Sequence, residues 1–570
     1  MPPSHPTPGV LLVTMAPNPT LPLSKFHDWY NNEHGPGRLR LPFCKNGFRY
    51  RANDHAQGTY SPENPEWMAI YDIEDMDWLT KDVYTRLRQA PVQSQRERDT
   101  MAQIKVDRRF WDLAGEWKCD SFPVLEDVSR EGEGNVMVSV LLTLHPDDNS
   151  KNETELKNWY EQEHVPLLQK VPGWRRTRRF VTSYLDLEAG RAKQFLALHE
   201  YAPENGLAGA EFKAATSTKW NNEMYENVIS SKTRRVYDLY YTFGAAPRDL
   251  TSLSDSSTIP FEATDTLTKT TPSHASPTTT PTISSFVTTP DNVVLPYTLT
   301  SLPSTPLTAP LLLCIPSILT TSQIYNNPTF LSPLLSSGFR ILLFDPRGRS
   351  SLPTASQSPI TITTLSSDII ALLDALRVQK TYLLGVSLGG ATALHTALTY
   401  PHRVEAFVAC DTNAVAPPGN PKAWGERIAM AEQEAAKSDT NGEGIVGTSL
   451  AEITVRRWFT EPSYADPETL SRITQVKDMV STNSLPGFKA AVNALYAYDF
   501  RPQMRGFKGK GAFLVGEKDG VLPETMKGMA EALGEKGTVL GTIGGAGHLP
   551  MVERPQETGE WVKGYFEGGK

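Results

Sequence analysis

The phrase WYxxEH occurs twice, at Trp29–His34 and at Trp159–His164, with the two histidines 130 positions apart (164 − 34). At that offset Leu41-Pro42 falls on Val171-Pro172. Further on, WMAIYDIED from Trp67 is answered by FLALHEY from Phe195, and RRFWDL from Arg108 by RRVYDL from Arg234. Each copy reads as a strand, a helix carrying WYxxEH, an Arg-rich strand, an alternating apolar strand, a helix and a last strand. That order predicts two βαββαβ units in series, at 1–125 and 126–245.

The remainder of the 570 residues is too long to share that core. Residues 246–281 are rich in Ser, Thr and Pro (TSLSDSSTIP, then TPSHASPTTTPT) and are expected to be a linker. Beyond it the pattern changes. A net charge of −8 with no basic run argues against a nucleic-acid or anionic-membrane partner. The four cysteines show no CxxC pair, so neither a zinc knuckle nor a disulfide scaffold is suggested. The chain shows neither a signal peptide nor eighteen uninterrupted apolar residues, and it is expected to be soluble and cytoplasmic. The sequence leaves the oligomeric state open.

Within the repeated helix, Tyr30 and His34 share a face, as do Tyr160 and His164, because a helix turns once per 3.6 residues. On these residues the N-terminal half resembles the EthD-like members of the dimeric α/β-barrel superfamily, whose helix commonly carries a Tyr and a His before a Pro. The resemblance implies tandem ferredoxin-like units closing into a pseudo-dimeric α/β barrel. It makes Tyr160, His164, Tyr30 and His34 the candidate barrel site. Tyr160 and His164, followed by VPLL, read as the better-kept copy. A structural reading stands beside this one, with each histidine a C-terminal helix cap and the aromatic residues core.

From 282 to 570 apolar runs alternate with helical ones, the pattern of a parallel sheet covered by helices. Gly385-Val386-Ser387-Leu388-Gly389 follows the apolar strand TYLL and precedes the helix-forming ATALHTAL, which is the context of a nucleophile elbow. A serine needs a base, and the base needs an orienting carboxylate. His548 in GAGHLPMVERP and Asp519 in GEKDGVLP supply them in the order serine, acid, histidine, with Asp411 as the competing acid. His395, inside the elbow helix, and His402, beside Pro401, read as structural.

Through FDPRGRSS, LLGVSLGG, CDTNA, RRWFT, LVGEKD and GAGHLPMVERP this half resembles the α/β-hydrolase superfamily and, within it, the 3-oxoadipate enol-lactonase group. The resemblance implies a helical lid at about 412–508, with Arg457 and Trp458 of RRWFT at the substrate. The oxyanion hole would use the backbone N–H groups of Leu388 and Ile318. There the family tends to have a turn such as NSLG, whereas this chain reads IPSILT, with Leu319 where a glycine is expected.

The expected protein is a serine hydrolase cleaving a small lactone or carboxylic ester through an acyl-enzyme. Its partner is that small molecule, and no metal or organic cofactor is implied. The fused barrel would isomerise, cyclise or decarboxylate a related compound, or serve as a ligand-binding or oligomerisation module. In the remaining alternative the whole chain is a non-catalytic binding protein on a hydrolase fold.

Overall fold

Strand formation follows the apolar runs of both repeats. The first copy supplies β1 (Gly9–Pro17), β2 (Cys44–Ala52), β3 (Trp67–Ile73) and β4 (Ile104–Lys118). The second supplies β5 (Val136–Leu144), β6 (Trp174–Thr182), β7 (Phe195–Tyr201) and β8 (Ile229–Thr242). The structure is a computed structural model that describes residues 6–54, 60–122, 134–146, 150–276, 278–349 and 359–568; Ser350 and Ser351 of FDPRGRSS lie outside them. The chain divides into two compact units, Met1–Ser252 with Ala263–Asp265 and Leu253–Glu262 with Thr266–Lys570.

In the first unit the eight strands close into an antiparallel barrel, in the order β1-β3-β2-β8-β5-β7-β6-β4. Each copy contributes four contiguous strands in equivalent order, β4-β1-β3-β2 and β8-β5-β7-β6. The copies meet where β2 pairs β8 and β4 pairs β6, so neither keeps an open edge. Period-two alternation separates two cores. Val10, Leu12, Phe48, Ile70, Met137, Phe180 and Leu198 belong to one cluster drawn from both copies. Val138, Val140 and Leu142 turn instead toward Leu156, Trp159 and Val165 of the second copy's helix. Arg178 of the second copy donates to Asp72 of the first at 2.7 Å, a further tie between the copies.

The WYxxEH helices do not end at their prolines. Helices Leu23–Trp29 and Lys151–Trp159 widen into π-helical turns over Tyr30–His34 and Tyr160–His164, then continue as Gly35–Leu39 and Val165–Leu168. The Gly35 N–H reaches the Tyr30 carbonyl, and the Val165 N–H the Tyr160 carbonyl, five residues back. Pro36 and Pro166 have no N–H to give, and the ladder accommodates this by widening rather than stopping. His34 and His164 are therefore inside continuous helical segments, which corrects the capping alternative.

The Ser/Thr/Pro-rich segment read as a linker carries the helix Leu250–Ser254, β9 (Phe261–Glu262) and β10 (Lys269–Thr271). Leu250 and Leu253 are buried, and Thr268 shares a hydrogen bond with Ser285 at 2.9 Å. Threonine is a good strand former whose hydroxyl can be paired within a sheet, so a polar composition did not mean an open chain here.

The second unit's sheet has ten strands in the order β18-β17-β16-β15-β13-β14-β12-β11-β10-β9. Its additional members are β11 (Thr282–Thr288), β12 (Val294–Thr300), β13 (Leu311–Ile315), β14 (Arg340–Phe344), β15 (Thr381–Val386), β16 (Val404–Cys410), β17 (Lys510–Gly516) and β18 (Leu540–Ile543). From β14 to β18 the pairing is parallel, while β9 to β12 form an antiparallel flank. The chain runs from β13 outward in both directions, which leaves a crevice at the carboxyl ends of the central strands. Helices Asn420–Glu434, Thr448–Trp458, Pro467–Ser481 and Leu485–Val492 lie between β16 and β17. Among the described residues no helix is long and apolar enough to cross a membrane.

Candidate active site

Ser387 stands at the carboxyl end of β15, directly before the helix Leu388–Thr399, with φ 58° and ψ −118°. That conformation costs an L-residue on the order of 1–3 kcal/mol and persists only where its surroundings impose it. Here the Ser387 N–H donates to the Cys410 carbonyl at 2.9 Å, and the Thr412 hydroxyl donates to the Ser387 carbonyl at 2.7 Å. The two elbow glycines are steric necessities. A Cβ on Gly389 would sit 2.2 Å from the Ile315 carbonyl oxygen, and one on Gly385 would sit 2.1 Å from that of Gly389.

Three further loops leave the carboxyl ends of neighbouring strands. Asp411 follows β16, Asp519 follows β17 and His548 follows β18. His548 Nδ1 is 2.7 Å from Asp519 Oδ2, and both side chains are partly buried. Burial pushes the Asp519 carboxyl up. The His548 charge and hydrogen bond, the neighbouring Asp411 side chain and the Arg457 charge outweigh it and hold Asp519 below the usual carboxylate range. The His548 backbone N–H donates to the Trp458 carbonyl at 2.8 Å, and the Trp458 ring stacks on the imidazole at 5.7 Å. RRWFT thus acts on the histidine directly.

Ser387, Asp519 and His548 line one cavity of about 250 Å³ together with Ile318, Leu388, Asp411, Arg457 and Trp458. The structure therefore brings together every residue the sequence nominated in this half. Leu319 adopts φ 63°, the left-handed region in which the missing glycine would be unstrained. Its loop is fastened from within. The Thr320 hydroxyl donates to the Ser317 carbonyl at 3.0 Å, and Arg349 donates to the carbonyls of Thr320 and Ser317 at 3.0 and 3.2 Å. One arginine of FDPRGRSS is thus a brace for the loop bearing Ile318. His395 instead pairs with Ser366 at 2.8 Å, and His402 lies in the turn Pro401–Arg403; neither lines the cavity.

Several contributors escaped the sequence reading. Trp424, Asn420 and Tyr498 also line the cavity, and no local motif marks them, while Asn413 falls inside the quoted CDTNA without having been singled out. Glu553, of the quoted MVERP, is buried and accepts from the Thr460 N–H at 2.8 Å, the Ser463 hydroxyl at 2.6 Å and the Gly547 N–H. It ties the end of RRWFT to the histidine loop. Arg457 has an accessible side chain that lines the cavity, and it has no ion pair among the described residues. Protein crowding and the Arg427 charge nevertheless lower its pKa to about 10.

The barrel candidates also meet. Tyr30 and His34 rings are 4.7 Å apart, Tyr71 and Tyr30 share a hydrogen bond at 3.2 Å, and His34 Nδ1 lies 3.2 Å from the Glu97 carboxylate. In the second copy Tyr160 and His164 are 5.4 Å apart, and His199, in the place of Tyr71, lies 6.2 Å from His164. Burial, with Arg38 adding to it, lowers the His34 pKa to about 4, and burial lowers that of His164 to about 4. Arg49 lies over the Tyr30 ring at 4.7 Å and Arg179 over Tyr160 at 4.5 Å. The sequence reading missed both arginines, although they are 130 positions apart (179 − 49) and the repeat offset could have found them.

Residues 310–555 match the family model described as alpha/beta hydrolase fold. Over 219 residues the chain is 27% identical to 3-oxoadipate enol-lactonase 2 of Acinetobacter baylyi, covering 38% of this chain and 74% of that protein. Over 187 residues it is 24% identical to 3-oxoadipate enol-lactonase 1 of the same organism, covering 33% of this chain and 64% of that protein. A solved hydrolase from Pseudomonas aeruginosa is 28% identical, with a TM-score of 0.42, over 50% of this chain and 98% of that one. The protein is accordingly an α/β-hydrolase enzyme in its C-terminal unit.

Proposed function

We propose that the C-terminal unit hydrolyses a small lactone or carboxylic ester through an acyl-enzyme on Ser387. The observation that carries this reading is the His548–Asp519 contact of 2.7 Å in the cavity that Ser387 also lines. His548 takes the serine proton as Ser387 Oγ adds to the carbonyl carbon, and Asp519 orients the imidazole and offsets the charge it gains. The N–H groups of Leu388 and Ile318 are the donors for the oxyanion. Collapse breaks the carbon–oxygen bond, and His548 returns its proton to the departing oxygen. With a lactone, that oxygen remains on the acyl chain. Water, deprotonated by His548, then releases the carboxylate and restores Ser387.

Arg457, accessible in the cavity and without an ion pair among the described residues, favours a substrate bearing its own carboxylate, and Trp458 and Trp424 supply apolar walls. The two Acinetobacter proteins are named as 3-oxoadipate enol-lactonases, so an enol-lactone with a carboxylate side chain is the first substrate to assay. Intact-protein mass spectrometry after fluorophosphonate treatment, beside a lactone panel, tests both parts. One adduct on Ser387 and turnover of an acidic lactone are expected; labelling elsewhere overturns the assignment.

For the N-terminal unit we infer tandem ferredoxin-like units in a pseudo-dimeric barrel. The equivalent order of the two four-strand sets, paired β2 to β8 and β4 to β6, supports that reading. Tyr30 with His34 and Tyr160 with His164 are its candidate sites for isomerising, cyclising or decarboxylating a related small molecule.

A further inference from the structure

Asp411 is used by no step above, yet it is the most deeply buried acid in the cavity wall, at 1% exposure. One oxygen of Asp411, one of Asp519 and a ring nitrogen of His548 all lie within 4.8 Å of one another. Asp411 Oδ1 accepts from the Gly516 N–H at 2.8 Å, while Oδ2 finds no donor among the described residues. Its backbone is pinned as well: φ is 41°, and the Asp411 N–H donates to the Leu514 carbonyl at 3.0 Å. Two carboxylates held this close, away from water, do not both stay ionised. An oxygen lacking a donor beside an ionised acid is satisfied when it carries a proton itself.

We propose that Asp411 is a positioning residue: a neutral carboxylic acid that donates its proton to the Asp519 carboxylate and thereby fixes that carboxylate against His548. The proposal rests on reading Ser387, His548 and Asp519 as nucleophile, base and orienting acid. Charge bookkeeping favours Asp411 as the protonated member. Asp519 is the acid bonded to the imidazole and the one near Arg457, whereas burial and then the Asp519 charge push Asp411 well above the carboxylate range. The remaining titratable groups facing Asp411 are Glu553, Cys410 and Tyr325, none of them a cation. The competing acid of the sequence reading thus becomes the partner of Asp519.

The test uses full-length protein and a p-nitrophenyl ester, comparing Asp411→Asn and Asp411→Ala with wild type across pH, beside infrared difference spectra. Asparagine keeps a neutral donor. Asp411→Ala is expected to lower kcat about tenfold and to move the acid limb of kcat/KM upward by roughly half a pH unit or more, since Asp519 then keeps its full charge for the imidazole. Asp411→Asn should recover most of that loss and leave the limb within about 0.3 pH unit of wild type. The wild-type minus Asp411→Asn spectrum at pH 8 should contain the C=O stretch of a protonated carboxyl.

A limb that falls by about one pH unit or more in Asp411→Asn overturns the proposal, because that is the response to removing a negative charge. So does an Asp411→Ala variant with wild-type kcat and limb. A stoichiometric divalent cation, whose removal by chelator abolishes turnover, also overturns it, since a cation would reconcile two ionised acids. If Asp411→Ala fails to fold, the infrared band and Asp411→Asn still decide. Wild-type turnover in Ser387→Ala would overturn the underlying reading and the positioning role with it, and is told apart because the infrared band reports the Asp411 proton without reference to activity.

Discussion

Among the described residues two histidine–carboxylate pairs stand in different surroundings. His548 and Asp519 are 2.7 Å apart, with side chains 13% and 16% exposed, in a cavity shared with Ser387. His34 and Glu97 are 3.2 Å apart at 10% and 8% exposure, with Arg38 3.6 Å from the same carboxylate oxygen. In the first pair the acid answers to the histidine and lies on a cavity. In the second the acid is shared with a permanent cation, and the rings of Trp29 and Tyr30 pack on the imidazole at 4.7 Å. A histidine beside a carboxylate is thus not a site by itself: the accompanying nucleophile and the access to substrate distinguish the two pairs.

The sharpest break between the pairs comes from the nucleophile. Ser387→Ala should lower p-nitrophenyl acetate turnover by roughly 10³-fold or more with the circular dichroism unchanged. Asp519→Asn should cost about 10²- to 10⁴-fold in kcat, while Glu97→Gln leaves esterase turnover at the wild-type value. Both substitutions remove the charge from a histidine's partner, so equal losses in the two variants would erase the distinction. Arg457→Met should raise KM for a carboxylate-bearing lactone about tenfold or more, with kcat for p-nitrophenyl acetate little changed. A KM that does not move would remove the carboxylate from the substrate description.

The smallest effect concerns stability. Burial lowers His34 and His164 to about 4, His199 to about 3 and His27 to about 2, from an unfolded value of 6.5. A histidine whose folded pKa is depressed contributes fully above its unfolded value. Its contribution is lost as pH falls, because the unfolded chain takes up the proton first. The barrel's melting transition should therefore be flat above about pH 6.5 and decline from there toward about pH 2, the lowest of these folded values. Calorimetry across that range checks it, and His34→Leu should flatten the decline slightly. A rising transition would reverse the sign.

Local chemistry made much of this legible. Ser387, His548 and Asp519 were readable because an elbow, a GAGH loop and a Gly-bounded acid each have short-range steric reasons. The repeat was readable because duplication leaves an offset, and that offset of 130 recurs in Arg49 and Arg179, stacked on matching tyrosines. The Ser/Thr/Pro segment was misread because its threonine hydroxyls look like solvent-facing groups until a neighbouring strand is in place to pair them.

The sequence by itself determined the duplicated strand–helix pattern, the elbow and the order of serine, acid and histidine, because each depends on backbone sterics or spacing within a few residues. Only the tertiary structure decided which polar groups face one another across long separations. It brought Glu97 to His34 from 63 positions away and Glu553 to Ser463 from 90 positions away. It also placed Asp411 beside Asp519, two acids on loops of neighbouring strands that the sequence presented as rivals. No local rule relates such residues. They meet because β16 and β17 pair in one register, and a carboxylate's charge state is set by what that pairing places within a few ångströms of it.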